Sequence, residues 1–279
     1  MATGFLHPGA MGASLASVCR GDRLWCGNGR SGATRSRAQA AGMQDVGSLE
    51  ELIARADVIV SVCPPGAAIE VAEAVSGAGF DGTYVDANAV APPTARLIGA
   101  RFANFVDGGV VGPPVRAAGT TRLYLSGDLA HDVAALWNDT LLETRVVDGG
   151  AGAASAVKVC FAAWTKGTAA LLLAIRALAV AENIEDALLA EWATSQPGLD
   201  DQASRAAAGN APKAWRFAGE LDEIATAFAS HDLPAGFATA ASDVYQRLAE
   251  FKDSSRTTLQ DVINALRWPP DGRSPTAPA

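Results

Sequence analysis

The 279-residue chain predicts an α/β first half, a doubly wound parallel sheet, followed by an all-α second half. Three observations carry this. An apolar segment at residues 1–6 runs through His7-Pro8-Gly9-Ala10-Met11-Gly12 into a small-residue helix start, the outline of a phosphate-cradling turn between strand and helix. Short β-branched runs then alternate with helix-length segments as far as Val147, the rhythm of strand–helix–strand units. At Asp148-Gly149-Gly150 that rhythm stops, and the remainder is alanine-rich and helical in pattern. The expected divisions are 1–150, 151–268 and a loose, proline- and polar-rich tail at 269–279.

The first turn carries two of the three glycines of the dinucleotide fingerprint. Gly9 and Gly12 hold the second and third places, and His7 stands in the first. Without a Cβ at Gly9, a pyrophosphate can approach the backbone where unpaired N–H groups and the helix dipole favour an anion. Gly12 lets the helix lie close to the strand. His7 either leans on the phosphates or fills the turn; Pro8, Ala10 and Met11 complete the loop. Residues 12–19 read as a helix and 23–26 as a strand that ends in the loop 27–32. An NAD site would place an acid near here, on the ribose hydroxyl. No Asp or Glu occurs from Arg23 to Met43, and Asp45 is the next. Arg30, Ser31 and Arg35 occupy the region instead, as cationic, multi-donor partners for a 2′-phosphate. Arg37 is expected to face water. The cofactor expected is therefore NADP(H), bound in a Rossmann-type domain at 1–150.

Ser48-Leu49-Glu50-Glu51 is a cap signal for a helix over 48–56. The β-branched run at 57–63 reads as a buried parallel strand, ended by Pro64-Pro65-Gly66. A helix over 67–75 follows, then a strand edge at 84–88 closing on Asn88, and a helix from Thr94. The strand at 105–107 leads into the loop Gly108-Gly109-Val110-Val111-Gly112-Pro113-Pro114. Two more strands cover 122–126 and 144–147. Beyond Gly150, one helix spans 153–183, about 45 Å at 1.5 Å per residue. Further helices cover 186–194, 200–208, 213–231, 236–251 and 259–266.

Composition bounds the function. Hydrophobic residues make up 49% and charged ones 19%, enough for a sizeable core. A formal net charge of −8 opposes nonspecific nucleic-acid binding. Cys19, Cys26, Cys63 and Cys160 lack metal-ligand spacing and are expected as buried free thiols. The apolar run 169–181 contains Arg176 and falls short of a bilayer span. No secretory n- and h-region fits ahead of the turn. A cytoplasmic protein without nucleic-acid or membrane partners is expected. No histidine stands in a motif with Asp or Cys, so neither a Ser/His/Asp mechanism nor a metal site is expected.

Several residues together resemble the β-hydroxyacid dehydrogenase family, relatives of 3-hydroxyisobutyrate dehydrogenase and of the NAD-binding domain of 6-phosphogluconate dehydrogenase. They are Gly9-Ala10-Met11-Gly12, Val62-Cys63-Pro64-Pro65, Val85-Asp86-Ala87-Asn88 with Pro92, Asp107 to Gly112, Gly119-Thr120 and the helix bearing Lys158. The His-Pro-Gly start, Ala162 to Gly167, and Trp215-Arg216-Phe217 with Glu220 are similar to a less-characterised branch with its own C-terminal domain. The resemblance implies Lys158 as the catalytic lysine. It places Cys63, Pro64, Pro65 and Asn88 on the nicotinamide side, and Asp107, Gly108, Gly109, Val111 and Gly112 against the substrate; by its own position at a strand end, Asp107 either binds or caps the loop. Lys166, two turns beyond Lys158, would position substrate or pair with a carboxylate. Two departures stand out. Val111-Gly112-Pro113 replaces the family's Ser-Gly-Gly, and Ala162 replaces an asparagine one turn after the lysine. Glu220 and Glu223 stand near the family's second lysine.

The expected activity is NADPH-dependent hydride transfer to a carbonyl of a small molecule, or the reverse oxidation of an alcohol. The alternatives are reduction of a C=N bond, which tolerates a less polar pocket, and a non-catalytic NADP-binding sensor. The apolar length of the 153–183 helix, together with the resemblance, predicts a homodimer formed through 151–268.

Overall fold

The run Val58-Ile59-Val60 is apolar at every position because both of its faces are covered. In the computed structural model, Val58 and Val60 enter one hydrophobic core with Phe5, Leu15, Leu123, Leu125 and Trp137. Ile59 points the other way, into a second core with Leu24, Leu52, Tyr84 and Ile98. A strand buried on both sides cannot alternate polar and apolar residues, and this is the signature of a parallel sheet sandwiched by helices. The structure describes residues 1–267; the expected tail, 269–279, lies outside them.

The chain divides into two units, Met1–Phe161 and the part beginning at Ala162. The first runs β1 (Ala2–Leu6), α1 (Ala10–Ser17), β2 (Asp22–Trp25), α2 (Gly32–Ala40), β3 (Gln44–Asp45), α3 (Leu49–Arg55), β4 (Val58–Ser61), α4 (Ala68–Gly77), β5 (Thr83–Asp86), α5 (Pro92–Gly99), β6 (Phe105–Val111), β7 (Arg122–Ser126), α6 (Ala130–Ala134) and β8 (Glu143–Val146). One eight-stranded sheet has the order β3-β2-β1-β4-β5-β6-β7-β8. All pairs are parallel except β6 with β7. β1 pairs with β2 on one side and β4 on the other. The order reverses there, which opens a crevice beyond the carboxyl ends of β1 and β4. This is the doubly wound fold that the alternating pattern predicts.

One boundary differs in a way that matters. The loop expected from Gly108 starts only at Gly112, because β6 continues through Val111 and pairs Gly108 with Leu125 and Gly109 with Tyr124. A Cβ on Gly108 would stand 3.0 Å from the Asp86 carbonyl, and one on Gly109 only 2.6 Å from the Ala154 carbonyl. These glycines mark close backbone approach rather than a turn. α2, with four polar or charged residues in its middle, and the five-residue α6 carry too little apolar periodicity to stand out in sequence.

α7 (Ala153–Ala181) begins in the first unit and continues into the second, which adds α8 (Glu185–Ser195), α9 (Leu199–Asn210), α10 (Ala214–Ala229), α11 (Gly236–Arg247) and α12 (Leu259–Arg267). α10 and α11 pack through Phe228 on Phe237, edge to face at 4.8 Å, and through Ser242, whose hydroxyl donates to the Ala218 carbonyl at 3.2 Å. Arg176, 4% exposed, donates to Glu185 at 2.5 Å and pairs with Asp200. By length and composition α7 as a whole is long and apolar enough to cross a membrane, although the apolar run 169–181 is only part of it. Cys19 and Cys26 are buried, Cys63 is half-buried and Cys160 is exposed. The last corrects the expectation of a buried thiol, because Cys160 falls on an outer face of α7.

Candidate dinucleotide site

β1 delivers the chain to His7, which takes a φ of +56°. Glycine would adopt that conformation freely; a residue with a Cβ does so at a cost of about 1 kcal/mol. The turn closes with the Gly9 N–H donating to the His7 carbonyl at 2.6 Å. Gly9 is the N-cap of α1 and supplies no side-chain acceptor, and the first turn of α1 carries no acidic residue. The leading N–H groups of Ala10, Met11 and Gly12 therefore present positive partial charge at the crevice. A Cβ on Gly9 would meet nothing closer than the His7 carbonyl at 3.9 Å, so the space over this backbone is open. One on Gly12 would make ordinary contacts of 3.5 Å with the His7 carbonyl and Val62. Gly12 is near the strand end without being crushed against it.

The loop after β2 brings Arg30 and Ser31 to the same edge. Ser31 is the N-cap of α2 and accepts the Thr34 N–H at 3.3 Å. Arg30 is half-buried, and its Nε has no hydrogen-bond partner. The imidazole Nδ1 of His7 is likewise buried without a partner. Burial, and then the charge of Arg30, lower the His7 pKa to about 4. The other two arginines are engaged. Arg35 donates to the Gly27 carbonyl at 2.5 Å and lies 3.3 Å from Asp45. Arg37, expected to face water, instead donates to the Pro8 carbonyl at 3.2 Å and to the Thr34 hydroxyl at 3.0 Å, which ties α2 to the glycine turn. Asp45 reaches the end of β2 from β3, where its Oδ1 accepts the Gly27 and Gly47 N–H groups at 2.9 Å. Sequence reasoning missed this carboxylate because its approach depends on the β2–β3 pairing; a Cβ on Gly27 would overlap it.

On the other side of the switch, Cys63, Pro64 and Pro65 leave the end of β4. The Cys63 N–H donates to the Asn88 side-chain carbonyl at 2.6 Å, and the Asn88 amide donates to Ser61 at 3.2 Å. Asn88 is 2% exposed and joins the ends of β4 and β5. Burial pushes the Cys63 thiol up to about 11, so it is no nucleophile.

Of the two roles open to Asp107, binding substrate or capping, the structure shows the bonds of a cap. It is fully buried. Its Oδ1 accepts the Ser155 hydroxyl at 2.6 Å, and its Oδ2 accepts the Ser126 hydroxyl and the N–H groups of Gly152 and Ser155 at 2.9 to 3.2 Å. It anchors the start of α7 to β6 as a buried capping carboxylate. Burial raises its pKa while these donors pull it back. Gly108, Gly109 and Val111 lie within β6 and are buried. Gly112, with φ +117°, turns the chain so tightly that a Cβ would stand 2.3 Å from the Thr120 carbonyl.

Lys158 sits in the second turn of α7, half-buried. A Cβ on Gly109 would lie 3.0 Å from the Lys158 Cβ, so the lysine stem packs straight over the glycine of β6. Lys166, in the second unit, pairs with Glu220 at 2.6 Å, with the two side chains 12% and 17% exposed. Its ammonium also stands 4.7 Å from the Phe217 ring centre. The carboxylate pairing left open by the sequence is the one observed. Among the described residues, no group of three His, Cys, Asp or Glu side chains is arranged to hold a metal ion.

A doubly wound sheet with an open glycine turn at its switch point, followed by a helical unit, is the β-hydroxyacid dehydrogenase fold. The structural neighbours are 3-hydroxyisobutyrate dehydrogenase-like proteins. Residues 179–248 match the model of a domain of unknown function, DUF1932. The chain is similar to a conserved protein of unknown function described as structurally similar to 3-hydroxyacid dehydrogenases, with 25% identity, 90% of this chain and 98% of that one covered, and a TM-score of 0.67. It is similar in fold to Mycobacterium tuberculosis 3-hydroxyisobutyrate dehydrogenase, solved with L-serine, with 20% identity, 95% and 99% covered, and a TM-score of 0.67. An uncharacterized 28.5 kDa protein in the 7S RNA 5′ region of Methanothermus fervidus is 28% identical over 195 residues, 68% of this chain and 75% of that one.

Proposed function

We propose that the protein is an NADP(H)-dependent oxidoreductase acting on a small molecule. The observation that carries this is the open backbone at Gly9, at the switch between β1 and β4, under a helix start with no side-chain cap. That geometry suits a pyrophosphate. The residues present fit the whole dinucleotide. Gly9, Ala10, Met11 and Gly12 hold the diphosphate through backbone N–H groups, with His7 and Pro8 shaping the turn. Arg30 and Ser31 take the 2′-phosphate, while Arg35 fixes their loop through Asp45 and Gly27. Cys63, Pro64, Pro65 and the Asn88-braced strand end flank the nicotinamide. Bound there, the cofactor supplies or accepts a hydride.

Lys158 is the proton carrier. Its stem is packed over Gly109, which holds the amine at the end of β6 where a general acid or base would act. It supplies the proton at the substrate oxygen in carbonyl reduction and removes it in alcohol oxidation. Val111 is locked in β6 and Ala162 is 2% exposed, so neither supplies the hydroxyl or amide that a 3-hydroxy acid site uses. The loss of that hydroxyl and that amide also suits reduction of a C=N bond as a second reading. The protein acts in the cytoplasm, without nucleic-acid or membrane partners, as a homodimer joined through α7.

The test is direct. NADPH raises the melting temperature of the protein more than NADH does at equal concentration. Lys158→Met abolishes turnover over a panel of carbonyl and imine substrates and leaves the NADPH shift intact. Near-wild-type turnover in that variant removes the lysine from the mechanism. Failure of the wild-type protein to consume NADPH with any substrate, despite binding it, favours a sensor.

A further inference from the structure

Two nitrogen atoms near the mouth of the site are buried without partners, and they belong to neighbouring side chains of opposite loops. One is Nδ1 of His7, at the end of β1; the other is Nε of Arg30, after β2. Buried polar atoms are ordinarily paired, and an orphan calls for an explanation. His7 carries a second cost, a left-handed backbone in the place where the fingerprint has glycine. Backbone strain together with an unsatisfied ring nitrogen at a ligand-facing turn marks a functional position.

We propose that His7 and Arg30 together seat the 2′-phosphate of NADP(H), and that His7 takes up a proton when the phosphate arrives. The proposal rests on the dinucleotide reading above and goes beyond it by adding the fingerprint histidine to the phosphate site. Arg30 follows Gly9 by about 20 residues, the separation at which dinucleotide sites place their ribose-reading residue. The other charged groups around the turn are already occupied. Arg37 serves Pro8 and Thr34, Arg35 serves Asp45 and Gly27, and Asp45 also accepts from Gly27 and Gly47. Arg30 is the charge that acts on the imidazole, and with no anion present the two cations would repel. A phosphate dianion between them reverses the sign. It pairs with Arg30 and favours the imidazolium, so the ring passes from neutral to charged on binding. The Ser31 hydroxyl, already bonded to the Thr34 N–H, adds a donor on the same edge.

The consequence is a coenzyme preference that depends on pH. Below the pKa of His7 in the complex, preference for NADP⁺ over NAD⁺ gains up to tenfold per pH unit from this group. The phosphate's own second ionisation near pH 6 acts in the opposite direction, so the comparison is made against variants that lack the ring. His7→Asn keeps a residue that tolerates the left-handed conformation. His7→Gly restores the fingerprint and covers the case in which the asparagine variant folds poorly. Calorimetric titration with NADP⁺ and with NAD⁺, at pH 5.5 to 8 in buffers of different ionisation enthalpy, gives both affinity and proton uptake. The expected result at pH 5.5 is a preference for NADP⁺ about tenfold larger in the wild-type protein than in either variant, closing by pH 8. It is accompanied by proton uptake with NADP⁺ that both variants lose and that NAD⁺ does not elicit. Equal preference and equal proton uptake in wild type and variants overturn the role of His7 and leave the dinucleotide site standing. Failure of any form to bind either coenzyme overturns both.

Discussion

Gly9 separates folding from binding at a single atom. Its φ of −70° suits any residue, and an added Cβ meets only the His7 carbonyl at 3.9 Å. Gly9→Val should therefore change stability by less than about 0.5 kcal/mol while weakening NADPH binding at least tenfold, checked by urea titration beside calorimetry. Unimpaired binding would mean that no diphosphate lies over this backbone. His7 makes the complementary case. Burial and the Arg30 charge hold its folded pKa at about 4, well below the ordinary imidazole value, so below neutrality the unfolded chain binds the proton first. Stability attributable to this ring is complete above about pH 7, falls as the pH drops from about 6.5 to about 4, and then levels off. Denaturation of His7→Asn across that range should lack this component; the same acid slope in both proteins would place the histidine in solvent.

At the scale of the element, the contact of β6 with α7 decides where Lys158, the proposed proton carrier, stands. Two devices hold the helix down. Asp107 accepts from Ser126, Gly152 and Ser155 and fixes the helix start, and Gly109 allows the helix backbone to touch the strand. Adding one methyl at Gly109 brings it to 2.6 Å from the Ala154 carbonyl and 3.0 Å from the Lys158 Cβ, so helix and strand must separate. Gly109→Ala is expected to cost about 2 kcal/mol as an overpacking change. It should also lower kcat by an order of magnitude or more, because displacement of a catalytic group by a fraction of an ångström is felt in the rate. Parallel stability and steady-state measurements check this. A variant that loses stability but keeps kcat would show that Lys158 need not be held at this height.

For the whole molecule, the outer face of α7 is the unfinished surface. Phe161, Trp164, Leu171 and Leu178 are 43%, 73%, 61% and 61% exposed, and their spacing sets them along one side of the helix. With Phe237 and Val244, Trp164 and Leu171 border an apolar groove of about 560 Å³. Such a contiguous apolar surface is characteristic of an interface. The homodimer proposed through α7 predicts that Trp164→Glu yields a monomer by light scattering at micromolar concentration, with a lower melting temperature that no longer depends on protein concentration. A wild-type protein already monomeric under those conditions removes the dimer.

The order of most elements, though not of α2, β3 and α6, was legible because each signal was local. Alternation of β-branched runs with helical segments showed a doubly wound sheet, Gly9 and Gly12 showed a turn, and Gly149-Gly150 marked where strands end. The arginines without a nearby acid in sequence pointed to a phosphate, yet the sheet pairing brings Asp45 to the same edge and divides their tasks: Arg30 is left with an open Nε, Arg35 braces the loop and Arg37 holds the turn. Gly108 and Gly109 show the limit most plainly. Glycine means a turn when its dihedral angles demand it and close packing when a neighbour does, and the sequence carries the residue without the neighbour. Local propensity thus determined which segments are strands and helices. Only the tertiary structure decided which polar groups are spent on holding those segments together and which atoms, His7 Nδ1 and Arg30 Nε among them, are left without a partner, because hydrogen-bond partners are chosen by distance in space.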